Sequence, residues 1–390
     1  MHTHAHTHGA AHGHVRPPFR ADHVGSLLRP AALRAAREKA EGDHHTRVRG
    51  SRRFKELEAL ENEASLDAIR LQEAVGLEAI TDGEFRRRSW WQDFVLELDG
   101  TFIDFAEFAI DFADPSGHKL PAPVAHVDGK IKRSRSYNLD AYKFLRANTK
   151  RTPKVTMPSP PVVHFFGGRL AIDPKVYPDL GEFWADLARA YREEIADLAA
   201  AGCTYVQIDE CIFALMCDPK FRVQLARRGD DPEKLLGTYA DVINESIKDR
   251  PKNMVMAMHL CRGNNRGHWL GEGGYDYISD VLFNTVNVDA FFMEYDSPRA
   301  GDFTPLKMLP KGKTAVLGLV TSKSPALETA DDIRRRIDEA AKYAPIGQLA
   351  LSPQCGFASH FMGNPLTFDD ERRKLDLVVR VADEVWGSAR

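Results

Sequence analysis

No apolar stretch in the chain is long enough to cross a bilayer, and no hydrophobic signal region opens it, so neither membrane insertion nor export is expected. Charge of one sign is missing too. With 53 Lys and Arg against 56 Asp and Glu, the formal net charge is −3, which argues against nucleic acid or an anionic membrane as a partner. Cysteine is sparse: five residues without framework-like spacing exclude a disulfide scaffold and suit a reducing interior, where thiols serve metals or cores. No glycine-rich phosphate loop follows the first candidate strand, which counts against a dinucleotide-binding open sheet. A soluble cytoplasmic protein is the expectation.

At 390 residues with 43% apolar content, the chain can bury a substantial core. Its first fourteen residues, MHTHAHTHGAAHGH, are low-complexity and His-rich, so residues 1–18 are expected to form a disordered tail with no catalytic part. From Phe19 onward, eight short apolar or β-branched runs stand out: Phe19–Ser26, Leu77–Glu84, Lys154–Pro158, Thr204–Glu210, Met254–Cys261, Asp289–Tyr295, Thr314–Val320 and Gln348–Cys355. Helical patterns separate several of them, at Ser51–Val75, Leu180–Ala201, Pro232–Ile247, Thr329–Tyr343 and Thr367–Trp386. Gly202 follows the second as a C-terminal cap should, and Asp331 and Asp369 fall in first turns, where negative charge suits the helix dipole. Strand alternating with helix means parallel pairing, and eight units predict an α/β fold, a closed (β/α)8 TIM barrel over residues 19–390. The long, aromatic-rich stretch at about 87–150 breaks the rhythm after the second strand and reads as an inserted excursion over the barrel mouth.

Such barrels gather their functional groups at the carboxyl ends of the strands. Here the runs end in ligand-type residues. His259 and Cys261 are two apart and therefore point the same way along a strand, while Glu294 and Cys355 each close a further run. One nitrogen, two sulfurs and one carboxylate oxygen form a tetrahedral zinc set, since thiolate and imidazole favour Zn²⁺ over the hard ions. Glu294 could instead pair with Arg262 or Arg299. Cys203, Cys211 and Cys217 read as small core residues. Asp82, Glu84 and Asp209 suggest an acidic mouth suited to a substrate ammonium, with the Ser26 hydroxyl or backbone amides serving a carboxylate. The bland alternative is pairing of these acids with Arg86–Arg88. Trp90 and Trp91 suit a stacking wall for a planar ligand or, equally, packing of the excursion.

Taken together, Asp22-His23-Val24-Gly25-Ser26, Asp82-Gly83-Glu84-Phe85, Gln207-Ile208-Asp209-Glu210, His259-Leu260-Cys261, Phe292-Met293-Glu294 and Ser352-Pro353-Gln354-Cys355-Gly356 resemble the catalytic domain of cobalamin-independent methionine synthase. Long members of that family carry two related barrels, and this chain has room for the C-terminal, catalytic one. The resemblance implies zinc on His259, Cys261, Glu294 and Cys355, and an amino-acid site made by Gly25, Ser26, Glu84 and Asp209, with Asp209 also in the catalytic set. It implies methyl transfer to the thiol of homocysteine, giving methionine. Lys323 stands where long members have a histidine thought to protonate the departing folate nitrogen, which makes it a candidate acid. With that change, and without the second barrel, the methyl donor is either a methyltetrahydrofolate or a methyl-corrinoid. Two alternatives stay open: a zinc alkyltransferase acting on another small thiol, as in the epoxide–coenzyme M transferases, and a zinc-storage protein.

Overall fold

The computed structural model describes residues 16–41, 54–110, 112–113, 119–120 and 123–390; most of the His-rich segment, and with it the expectation of a disordered tail, lies outside them. Twelve strands occur in these segments: β1 (Ala79–Ile80), β2 (Leu98–Phe105), β3 (Phe112–Ala113), β4 (Lys119–Leu120), β5 (Pro123–Arg133), β6 (Thr152–Pro153), β7 (Val155–Pro158), β8 (Tyr205–Glu210), β9 (Val255–Leu260), β10 (Ala290–Glu294), β11 (Thr314–Val320) and β12 (Leu349–Pro353). Six of them form one parallel sheet in the order β12-β11-β10-β9-β8-β7. A second parallel pair, β1-β6, continues it, because only Lys154 separates β6 from β7 and its N–H donates to the Ile80 carbonyl at 2.8 Å.

The run Phe19–Ser26 departs from expectation. It makes a single parallel bridge, Ala21 with Leu351, and no extended strand. Side chains do the joining where a ladder would run: His23 Nε2 lies 3.1 Å from the Ala79 carbonyl, and the Thr81 hydroxyl donates to the Gly25 carbonyl at 2.7 Å. The stretch between β1 and β6 holds the antiparallel pair β2-β5, the short hairpin β3-β4, and a helix over Leu139–Asn148.

Helices connect the strands, and their ends follow local chemistry. Leu180–Ala200 starts at Asp179, whose side chain accepts from the Gly181 N–H. It ends in a Schellman arrangement, with Gly202 at φ +91° and the Cys203 N–H reaching the Leu198 carbonyl. Phe368–Trp386 opens with a capping box between Thr367 and Asp370. Lys55–Val75 buries Leu57, Ala64, Ala68 and Gln72 along one stripe. The Gln72 amide, at that helix's end, donates to the Thr81 carbonyl and accepts from its N–H, both at 2.8 Å. A helix terminus thereby fixes the turn that follows β1.

Two apolar clusters lie against the sheet. The larger packs the strands against the helices. The smaller joins Phe19, Val24, Ala79, Tyr205, Val255, Ala257, Ala290, Phe292, Val316 and Ala350, the alternate residues of successive strands. That parity decides where chemistry can occur: continuing it along β9 and β10 carries His259 and Glu294 to the same face. Among the described residues, no helix is long and apolar enough to cross a membrane.

Candidate metal centre

His259 lies near the end of β9, Cys261 just beyond it, Glu294 at the end of β10, and Cys355 two residues past β12. One ligand atom from each lies within 4.8 Å of all the others. Three of these side chains are buried, and Cys261 is half-buried. The two sulfurs are 3.5 Å apart, within hydrogen-bonding distance. The hydrogen bond from Cys261 holds the Cys355 thiol well below the ordinary thiol range, and its counterpart, together with burial, pushes Cys261 well above it. Burial raises the Glu294 carboxyl.

The donor set fits a zinc ion on two counts. It combines nitrogen, sulfur and one carboxylate in the proportions zinc takes. It also leaves buried donors unused: both ring nitrogens of His259 and Oε2 of Glu294 have no hydrogen-bond partner. Glu294 Oε1 is held by the Arg262 backbone N–H at 2.9 Å, while Oε2 faces Arg299 Nη2 at 3.5 Å and Lys323 Nζ at 3.6 Å. Pairing with the Arg262 region and with Arg299 thus coexists with membership of the ligand cluster.

A cavity of about 430 Å³ opens on His259, Cys261 and Cys355 and is lined also by Ser26, Glu84 and Asp209. Glu84 accepts from the Thr156 hydroxyl at 2.6 Å and faces Arg87 Nη1 at 3.4 Å. Its backbone is left-handed, φ +62°, a conformation a non-glycine residue adopts at some cost and one common where a side chain must be aimed. The Asp82 carboxylate, accepting from the Glu84 N–H at 2.9 Å, secures that turn. Asp82 itself lines a different cavity, beside Arg86, so the acidic mouth consists of Glu84 and Asp209. Asp209 accepts from Gln207 at 2.7 Å, and burial, with the charge of Glu84, pushes its carboxyl up to about 7.

Gly25 leaves room for Glu84: a Cβ there would lie 2.8 Å from Glu84 Oε1. Gly356 does the same for Ser26, whose Oγ a Cβ would meet at 1.9 Å. Trp90 and Trp91 both line the cavity, Trp91 also packing on Phe166 at 5.8 Å. Lys323 is buried against Glu294 and is absent from the cavity wall.

Cys203 and Cys217 are core residues, but Cys211 both packs in the core and lines the cavity. Asn264, Phe166 and His360 also line it and carry no periodic signal in the sequence. Asn264 donates to the Ser322 hydroxyl and to the Gly356 carbonyl, both at 3.0 Å. Burial, with Arg88 and Arg29 nearby, lowers His360 to about 3 and keeps its imidazole neutral.

An imidazole, two thiols and a carboxylate converging on one point, at the carboxyl edge of a parallel sheet, define a candidate metal centre. Residues 24–383 match the family model described as the cobalamin-independent synthase catalytic domain; the chain belongs to that family and is a methyltransferase of the methionine synthase type. It is 40% identical over 374 residues to the uncharacterized protein YxjG of Bacillus subtilis, covering 95% of this chain and 96% of that one. A solved structure from Listeria monocytogenes, provisionally named a vitamin-B12 independent methionine synthase, superimposes with a TM-score of 0.73 at 33% identity, covering 96% of this chain and all of that one. The 5-methyltetrahydropteroyltriglutamate–homocysteine methyltransferase of a Synechococcus strain is 23% identical over 347 residues, 87% of this chain but 40% of its own length.

Proposed function

We propose that this chain is a zinc-dependent methyltransferase that methylates the thiol of homocysteine to give methionine, with a reduced folate as the methyl donor. The observation that carries the reading is the four-residue ligand cluster with unused buried donors, opening onto a cavity that also holds two carboxylates. His259, Cys261, Glu294 and Cys355 would hold the ion. Zinc bound there supplies a Lewis acid that lowers a thiol's pKa and keeps its sulfur a nucleophilic thiolate. The chain's own residues do the rest. Asp209 and Glu84 accept the substrate ammonium, while Ser26 and the amides beside it take its carboxylate. That pairing favours an amino acid over a sulfonate thiol, which two carboxylates would repel. Trp90, Trp91 and Phe166 offer an apolar wall on which the carrier ring can stack, aligning its methyl group with the sulfur.

The folate donor rests on the name of the Synechococcus relative; nothing in the comparisons supports a methyl-corrinoid. Residues 19–390 are taken as one closed (β/α)8 barrel, the segment at Ala21 joining β12 to β1 and residues 87–150 forming its excursion, at work in the cytoplasm. The Ala21 bridge and the Lys154 connection support that closure. The test is direct: zinc-loaded protein is incubated with homocysteine and, separately, mono- and polyglutamyl methyltetrahydrofolate and methylcobalamin. Methionine from a folate donor is expected. Methionine from methylcobalamin alone would replace the donor, and none from any donor would end the reading.

A further inference from the structure

Glu294 differs from the other three candidate ligands in its company. Its Oε2, free of hydrogen bonds, faces two cations, half-buried Arg299 through Nη2 at 3.5 Å and buried Lys323 through Nζ at 3.6 Å. Lys323 has 6% of its side chain exposed, and its amine makes no hydrogen bond among the described residues. The Lys323 backbone is tied down, its N–H donating to the Thr321 hydroxyl at 3.2 Å. Arg299 is steadied by Asp296 at 2.7 Å. A buried ammonium with no hydrogen bond is costly, so its position needs a reason.

We propose that Lys323, assisted by Arg299, is a positioning residue that takes over the Glu294 carboxylate when the substrate sulfur displaces it from the metal. The proposal rests on the zinc reading above. A carboxylate is the hardest of the four donors and the one a thiolate most readily replaces. Freed in a site that is 0% exposed, it would be an unpaired buried charge unless a cation stood ready. With Oε1 held by the Arg262 N–H, Oε2 already faces the two cations in this structure. With a metal held there, the exchange would balance: one carboxylate oxygen would give way to one thiolate sulfur, and the thiol proton would pass to water.

The test uses the full chain loaded with Co²⁺ in place of zinc, whose visible absorption reports sulfur coordination, titrated with homocysteine. In the parent protein the thiol should add a sulfur–metal charge-transfer band. Lys323→Met should bind the metal with unchanged stoichiometry but need about tenfold more homocysteine for the same band, equivalent to ~1.4 kcal/mol, and Lys323→Arg should recover most of the loss. In a Glu294→Gln background, where no carboxylate is released, Lys323→Met should have no further effect. If Lys323→Met does not fold, Arg299→Leu serves, with a smaller shift expected in the same direction. Equal homocysteine affinity in Lys323→Met and parent, or a shift that persists undiminished with Glu294→Gln, overturns the proposal. A metal-loaded parent protein whose spectrum ignores homocysteine overturns instead the assignment of homocysteine as the thiol bound there.

Discussion

At the scale of single residues, the proposed function divides the site into groups that would hold a metal and groups that would hold an amino acid, and substitutions should separate them. His259→Ala or Cys355→Ala is expected to lose most bound zinc and nearly all methyl transfer, measured by metal analysis alongside turnover. Asp209→Asn should weaken amino-acid binding while leaving metal content intact; loss of zinc in that variant would show the division to be wrong. Asp209 also carries a pH signature. Its carboxyl, pushed up to about 7, is anionic above that value and neutral below it. An ammonium therefore loses one of its two proposed partners as pH falls, and methionine, which has no thiol to titrate, should bind more weakly at pH 6 than at pH 8. Asp209→Asn should flatten that dependence, and an equally steep profile in the variant would contradict the assignment. The four clustered side chains were legible because each lies at or just past the end of an apolar run, and alternation points His259 and Cys261 the same way. Asp82 was not, because the left-handed Glu84 turns the chain and spends the Asp82 side chain on the turn itself.

At the scale of elements, the helices and strands do positional work that a pattern shows only in part. The amphipathic stripe of Lys55–Val75 is visible in the sequence, but the Gln72 clamp on Thr81 is not, since no periodicity marks a polar residue that must bond a distant backbone. The first run, apolar enough for a strand, makes one bridge, and toward β1 its contacts run through side chains, His23 to the Ala79 carbonyl and Thr81 to the Gly25 carbonyl. A similar long-range tie joins the last helix to the start of the chain: Glu371, fully buried, accepts the Leu28 N–H at 2.7 Å, and burial raises its carboxyl to about 8. The folded-state value lies above the ordinary one of 4.5, so the folded form prefers the protonated acid. Its contribution to stability is complete below about 4.5 and is lost as pH rises through about 8. Glu371→Gln keeps an acceptor for Leu28 and removes the titration. The variant should therefore gain stability relative to the parent at pH 8.5, by up to a few kcal/mol, and little at pH 5. Denaturant melts at the two pH values measure this; a parent protein that loses no stability on going to pH 8.5 would refute it.

At the scale of the whole molecule, the fold turns distance in sequence into proximity in space. Residues from Ser26 to Cys355 meet at one cavity because alternate side chains of parallel strands share a face and the strands end together. The alternating order of strands and helices was readable from length and periodicity. The cavity's further wall was not, since Asn264, Phe166 and His360 come from irregular segments. A metal that ties together the ends of β9, β10 and β12 should also stabilise the chain, so chelation should lower the melting temperature and stoichiometric zinc restore it; an unchanged melting temperature would mean the ion is not tied to the fold. The central claim is that four side chains far apart in the chain hold one zinc ion. Zinc-edge X-ray absorption on a variant lacking the first fifteen residues, whose histidines could bind metal on their own, tests it most directly. One zinc per chain with two sulfur and two nitrogen or oxygen donors is the expected result; a shell without sulfur, or no stoichiometric zinc, would contradict it.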